Sequence, residues 1–524
     1  MLKNNKTLKL IILFETIIFL LVILGILPRS VVPYFVTIIS LYLIIAPLDD
    51  GILFFIASIP MFLAIPITAS FDNFNSWRIF SIILFLKWAY IHGIASLRII
   101  YTKYTKTAIA QRQSLLWFLR EYAISITVIL LLILAVASVA VAGDKITAVK
   151  RIIYFLNLGL IGFPLSRLVT DKEYAKKAIE YISYPIILVT LVGLAQLVST
   201  YFIDIYQFMR LWGENIQCNQ FGQQWCYIAV NVGNTWLAYY GDQLSLRIFS
   251  LFPDSHSFPI FLLLGLPAIF AIAMRNMKLS DKLRKLFLTR TKLFIVWVPL
   301  IFLAMILTGT RGIWAAGVGA IILIVILLIY MHIRNEGHTK YFGFISGYIV
   351  LFFMLFAVAY PIFISPQFLL SKGDLGMFGN RIRSVIDFGE TSNAQRILIW
   401  KQTLVSIQKH PLLGVGIGNY PVVLSQDIKL SKAGSSAHNL YLHMAAEMGI
   451  LALLATLIFL IALFIRIYNK FVAERDVMLA TYYGLALIFI PWVFAYLMTD
   501  VAIFDERAFL MFVVTATLLI KNPD

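Results

Sequence analysis

Residues 396–450 read RILIWKQTLVSIQKHPLLGVGIGNYPVVLSQDIKLSKAGSSAHNLYLHMAAEMGI, the longest polar-containing interval in a chain otherwise composed for lipid. Ile397, Trp400, Leu404 and Ile407 recur at helical spacing, with Arg396, Lys401 and Lys409 marking the other side, so the pattern predicts an amphipathic helix. Pro411 ends it, and Gly414, Gly416 and Gly418 supply a backbone that can turn tightly or approach a ligand. The interval closes on Ala437-His438-Asn439, directly before a new apolar run. A histidine at the water-facing mouth of a membrane helix, beside a glycine-rich loop, is well placed for chemistry.

Around this interval the composition leaves one fold class. Of 524 residues, 61% are hydrophobic and 13% charged, and the mean hydropathy is +0.88. Apolar runs of about 17–25 residues, the length a bilayer demands, recur along the whole chain. The expectation is an all-α, polytopic transmembrane helical bundle, a single domain over 1–524, with about 14 spans and 12 or 13 if short ones are re-entrant. The third span is expected at Gly51–Ile67, after a tight turn at Pro47–Asp50. Lys3, Lys6 and Lys9 precede a first apolar run that lacks a cleavage site, so it reads as a retained helix. Glu15 and Lys87 fall inside apolar spans and are expected to pair, snorkel or face the bundle interior. The net charge of +17 sits in short loops between spans, which argues against nucleic acid as a partner. With the N-terminus in the cytoplasm, every heavily basic short loop falls inside. Both termini are then cytoplasmic, and the long loops 203–257 and 365–441 lie outside.

The order of HPLLGVGIGNY, AHNLYL and EMGI before a membrane span resembles the O-antigen ligase/polymerase superfamily, over roughly Thr308 to Leu451. His438-Asn439 and Gly449 fit a ligase-associated pattern, whereas Ala452 departs from it, leaving ligase and polymerase both open. The resemblance implies a GT-C-like membrane glycosyltransferase of the cytoplasmic (inner) membrane. Such an enzyme moves glycans from a polyprenyl-diphosphate carrier such as undecaprenyl diphosphate, with its active site outside the cytoplasm. Its acceptor would be lipid A core, as in lipopolysaccharide assembly, a lipid-linked repeat unit, or another hydroxyl.

His438 is the candidate catalytic base, because a neutral imidazole can take a proton from an acceptor hydroxyl near neutral pH. If the segment is helical from Ser436, Asn439, His443 and Glu447 form a supporting stripe at i, i+4, i+8. Glu447 then either orients His443 or caps the bundle. Arg311, in Thr308-Gly309-Thr310-Arg311-Gly312, opens a span whose N-terminus favours anions and whose guanidinium suits phosphate oxygens. Arg247, ahead of a proline-containing turn and a span, and Arg396 complete the expected diphosphate-binding set. Arg381, Arg383 and Arg210 are weaker candidates, and His256 has only local proximity in its favour. Cys218 and Cys226, the only cysteines, share the first long outer loop, where a local disulfide competes with free thiols. There is no Asp-x-Asp motif and no clustered carboxylate set for a divalent metal at the outer face, so metal-independent chemistry without a cofactor is expected.

These residues suit a metal-independent, inverting transfer: guanidinium groups stabilise the departing diphosphate and His438 activates the hydroxyl. The competing class is a polysaccharide transporter or flippase. It would place polar groups near mid-membrane, often with internal repeats, rather than gather them at one water-facing end.

Overall fold

The computed structural model describes residues 6–67, 74–92, 115–222, 225, 235–240, 243–275, 292–370, 391–426 and 435–521. Among the described residues it is an all-α helical bundle with two short antiparallel strand pairs. One pairs Ala64–Ile65 with Phe74–Asn75 and the other Leu237–Tyr240 with Gln243–Leu246. Among the described residues, eight helices are long and apolar enough to cross a membrane. Shorter apolar helices occur at Arg29–Ile45 and Val296–Leu307. The protein is thus a multi-pass membrane protein.

Burial separates two kinds of span. Ser257–Met274 is buried along its whole length, and Val477–Tyr496 nearly so. Both are apolar all round, as a helix enclosed by other helices must be. Peripheral helices instead expose one apolar side: Val128, Ile129 and Ile133 on Tyr122–Val141, and Ile322, Ile326 and Ile329 on Arg311–Ile333. In a bilayer those faces meet acyl chains.

The third expected span is interrupted. Helix Leu48–Ser58 gives way to a 3-10 turn at Ile59–Met61 and then to the short strand Ala64–Ile65. Pro60 cannot donate to the helical ladder, and Phe62 is already extended. Glu15 faces the interior, where Ser58 hydrogen-bonds to it. Lys87 reaches the end of helix Val32–Ile45 and donates to the Leu43 (3.0 Å), Ile44 (2.8 Å) and Ala46 carbonyls, a cation at a helix C-terminus.

Loop contacts fall into two groups, at opposite ends of the bundle. At one end the Tyr174 hydroxyl donates to the Asp49 carbonyl (2.9 Å), Lys172 pairs with Glu474 (2.8 Å), Lys176 with Asp476 (2.8 Å) and Arg275 with Glu180. At the other end Asn219 donates to the Ile23 carbonyl (3.3 Å), Trp77 to Glu506 (2.7 Å) and Asn419 to the Asp144 carbonyl (3.2 Å). Helix Lys172–Ser199 joins the two ends, because its Gln196 accepts from the Phe249 and Ser250 amides at the second. Residues 203–222, 235–257, 391–426 and 435–441 all belong to that second end.

Candidate functional site

A helix is present where the spacing predicts one, as Thr391–Lys409, but its apolar residues are not gathered on one side. Its buried side runs through Thr403 and Ile407, while Leu398, Leu404 and Val405 are exposed. Leu404 therefore lies outside the packed face expected for it. Trp400 Nε1 donates to the Ala437 carbonyl (2.9 Å), tying this helix to the segment that carries His438. The glycine-rich turn that follows wraps the end of helix Leu440–Met448. Val415 and Gly416 donate to the Ala446 and Glu447 carbonyls at 2.9 and 3.0 Å, and Ile450 donates to that of Pro411 at 2.8 Å.

The helix after His438 starts at Leu440 rather than Ser436. Asn439 is its N-cap and accepts from the Tyr441 and Leu442 amides at 3.0 Å each. The side chain that stops the helix is the short amide of Asn439, which competes for backbone N–H groups. His438 precedes it with φ +45°, in the left-handed region. Its Nδ1 is buried and has no hydrogen-bond partner among the described residues. The Leu440 amide donates to the Leu497 carbonyl (2.8 Å) and the Tyr441 hydroxyl to that of Phe494 (2.9 Å), which seats this corner on the end of helix Val477–Tyr496.

Arg247 follows strand Gln243–Leu246, and its amide donates to the Trp236 carbonyl (2.8 Å). Its Nε donates to the Thr308 carbonyl (3.1 Å), and its Nη2 is 3.5 Å from both Thr310 Oγ1 and His256 Nε2. Gly309 makes this approach possible. It has φ +63°, and an added Cβ would lie 3.3 Å from Arg247 Cγ. Thr310 Oγ1 donates to the Ser255 carbonyl (3.0 Å), and Arg311 opens helix Arg311–Ile333 next to it. The following residue, Gly312, lies close against Tyr496 and Thr499.

His256 stands at the N-terminus of helix Ser257–Met274, where Asp254 accepts from the His256 and Ser257 amides at 2.8 Å each. Its Nδ1 lies 3.1 Å from both Asp500 Oδ2 and the Tyr496 hydroxyl. Burial pushes the His256 pKa down to about 4; the Asp500 carboxylate opposes this and Arg247 adds to it. A neutral imidazole follows. A carboxylate only accepts, so proton placement on Nδ1 leaves the Nε2 lone pair toward Arg247. Burial alone would raise the Asp500 carboxyl, yet His256, His438, Arg396 and the Val501 amide together hold it below its ordinary range. Burial, foremost, also lowers His438; Arg396 and His443 add to the fall and Asp500 resists it.

Direct contacts therefore join Arg247, His256, Thr310, Tyr496 and Asp500, and His438 and Arg396 stand within electrostatic reach of Asp500. Arg210 is exposed elsewhere on the π-helical segment Met209–Gln217. Arg381 and Arg383 lie outside the described residues. Cys218 is disulfide-bonded, and Cys226, the chain's other cysteine, lies outside the described residues.

His443 and Glu447 are buried beneath the glycine-rich turn, 3.5 Å apart. Tyr420 stacks on the His443 ring at 4.7 Å, and its amide donates to Glu447 Oε1 (3.2 Å). Glu447 is held below its ordinary pKa: burial raises it, but His443, Arg151 and the Gly418 amide prevail. This pair binds the turn to its helix.

A family model described as O-antigen ligase matches residues 296–457. The resemblance to the O-antigen ligase/polymerase superfamily is borne out. O-antigen ligase-type membrane glycosyltransferase activity is the coarse function this supports. The matched segment holds Arg311, Arg396, His438, Asn439, His443 and Glu447, while Arg247, His256 and Asp500 lie on either side of it. No curated protein matches the chain.

Sequence reasoning passed over Asp500 and Tyr496 and gave His256 no role. The signal was positional: an acidic residue just past the end of a span, in a loop assigned to the same side as His438.

Proposed function

We propose that the protein transfers a glycan from a polyprenyl-diphosphate carrier to an acceptor hydroxyl at the extracytoplasmic face of the cytoplasmic membrane. The transfer is metal-independent and inverting. The observation that carries this reading is the convergence of Arg247, Arg396 and His438 at one end of the bundle, around Asp500. The disulfide at Cys218, which belongs to the same end, supports an oxidising compartment there. Both termini are then cytoplasmic, and the whole chain acts as one membrane domain with the described parts of the 203–257 and 365–441 loops at the end that holds the site.

In this mechanism Arg247 and Arg311, with Arg396, hold the diphosphate through charge-assisted hydrogen bonds. Neutral His438 takes the acceptor hydroxyl proton. The oxygen attacks the anomeric carbon from the face opposite the carrier, a new C–O bond forms, and the carrier's C–O bond breaks. Its electron pair leaves on the diphosphate, where the guanidinium groups stabilise the developing charge. The products are the inverted glycoside, the polyprenyl diphosphate and an imidazolium that returns its proton to solvent. Asn439 sets the corner that presents His438, and His443 with Glu447 keeps the turn beneath it in place.

The test is reconstitution of purified protein with a polyprenyl-diphosphate glycan and, in separate reactions, lipid A core, a lipid-linked repeat or a peptide bearing Ser and Thr. Transfer to one acceptor, with loss in Arg247→Ala and only partial recovery in Arg247→Lys, is the expected result. An ammonium cannot reproduce the planar fork. Transfer by Arg247→Ala at the wild-type rate overturns the reading.

A further inference from the structure

At the end of the bundle opposite the histidine–arginine cluster, a cavity of about 630 Å³ opens beside the junction of helices Ile450–Ala473 and Val477–Tyr496. Its charged lining comprises Lys172, Arg466, Lys470 and Arg475 against one carboxylate, Glu474. That carboxylate is already engaged: it accepts from Lys172 Nζ (2.8 Å) and from the Arg475 and Asp476 amides (2.9 and 2.8 Å). Lys470 is buried, and its ammonium donates to the Leu518 (3.0 Å) and Lys521 carbonyls at the end of helix Glu506–Ile520. It also lies 4.3 Å from the Tyr483 ring centroid. Arg466 Nε donates to the Ile520 carbonyl of the same helix end (3.1 Å). A helix terminus thus fixes two cations beside the cavity, and Arg475 stands exposed at its rim.

We propose that this cavity binds a phosphate anion, with Arg466 and Arg475 as its donors and the Lys470 ammonium, held by the helix terminus, as a fixed charge beside it. Guanidinium forks match phosphate oxygens, and an ammonium supplies a compact point charge. The anion's source is either the head group of an anionic phospholipid or a soluble phosphate. The surface next to the cavity favours the lipid. Ile461 and Ile465 are exposed and continue at i, i+4, i+8 to Asn469, which lines the cavity. This apolar stripe leads from the cationic mouth along the helix into the bilayer, where an acyl chain would lie. Basic pockets between membrane helices hold anionic head groups in this way. The proposal does not rest on the reaction assigned to the other end.

The experiment uses the full-length protein in a neutral detergent, with dioleoylphosphatidylglycerol, dioleoylphosphatidylcholine and inorganic phosphate as separate probes. Binding is followed by native mass spectrometry and by the thermal unfolding midpoint. Phosphatidylglycerol is expected to be retained and to raise the midpoint, with phosphatidylcholine doing neither. Arg475→Gln should weaken phosphatidylglycerol binding about fivefold, the effect of one basic residue near an anionic surface, and adding Lys470→Gln should weaken it further. Retention of phosphatidylglycerol without a response to inorganic phosphate supports the lipid source. Inorganic phosphate that binds and is weakened by the same substitutions supports a soluble one. Because Arg475 is exposed, Arg475→Gln keeps its fold, and wild-type phosphatidylglycerol affinity in that variant overturns the proposal. Equal retention of the two lipids with no phosphate binding also overturns it.

Discussion

His438→Gly is the most informative single substitution, because the structure predicts opposite effects on stability and on activity. His438 holds φ +45°, a conformation that costs a side-chain-bearing residue about 1–2 kcal/mol. Its buried Nδ1 lacks a partner among the described residues, and such a group costs about 1–3 kcal/mol. Glycine relieves both, while the extra freedom of the unfolded chain takes back about 0.5–1 kcal/mol. After about 1 kcal/mol for the lost contacts of the half-buried ring is allowed for, the variant should be more stable by up to about 3 kcal/mol, as expected where strain is stored at a functional corner. Transfer should nevertheless fall by about 10²–10⁴-fold, the contribution of a positioned acid–base group. The stability gap should widen in acid. The folded imidazole is held below its ordinary pKa, chiefly by burial, so the unfolded chain takes up the proton first as pH falls and the wild type loses stability. The glycine variant lacks that loss. The assay is thermal unfolding in nanodiscs from pH 8 to pH 5, alongside transfer at saturating donor. A variant less stable than the wild type would refute the strain argument and make the histidine a structural corner. Undiminished transfer would remove it from the mechanism.

Asp500→Asn should slow transfer and shift the acid limb of the rate profile to lower pH, because the carboxylate raises the pKa of His438 and of His256; an unshifted limb would leave it only a packing role. Gly309→Ala should push Arg247 away through the 3.3 Å contact at its Cγ and strain a backbone at φ +63°, raising the KM for the diphosphate donor while Gly319→Ala, in open space, changes nothing. In intact cells, an impermeant maleimide should label Tyr206→Cys, exposed at the end that holds the histidine–arginine cluster, and spare Arg334→Cys, exposed at the other. The reverse pattern would place the site in the cytoplasm.

Features set by local chemistry were legible in the sequence. The helix that ends before Pro411, the tight glycine turn and the all-apolar central spans each follow from a few neighbouring residues, and each is present, although the apolar side chains of that helix do not share one packed face. Local rules failed where a long-range contact or a competing side chain took over. The apolar run through Gly51–Ile67 carries its breaker in Pro60, which hydropathy and length alone pass over, and no local feature shows that the residues beyond it pair with Phe74–Asn75. The helix after His438 begins at Leu440, and not at the Ser436 on which the stripe is conditional, because the Asn439 side chain caps it. Leu404 was assigned to the packed face by spacing alone, yet the neighbour on which that face rests is chosen by the tether from Trp400 to Ala437.

Asp500 shows why the site itself was only half legible. His256 and Asp500 stand 244 positions apart in sequence but 3.1 Å apart in space, and no spacing rule connects them. What connects them is the bilayer. Once the alternating basic loops assign sides, the loops that start helices Ser257–Met274 and Arg311–Ile333 and the loop that ends helix Val477–Tyr496 share one end. The central pair of buried helices then brings those ends together. Charge within two or three residues of such a terminus cannot be solvated as in a long loop, so it must find a partner among the few other termini on that side. Arg247, His256, Arg311 and Asp500 all meet that condition or lie against a residue that does. In a polytopic enzyme the informative unit is therefore the set of polar residues at the span ends of one side, taken together before any motif is consulted.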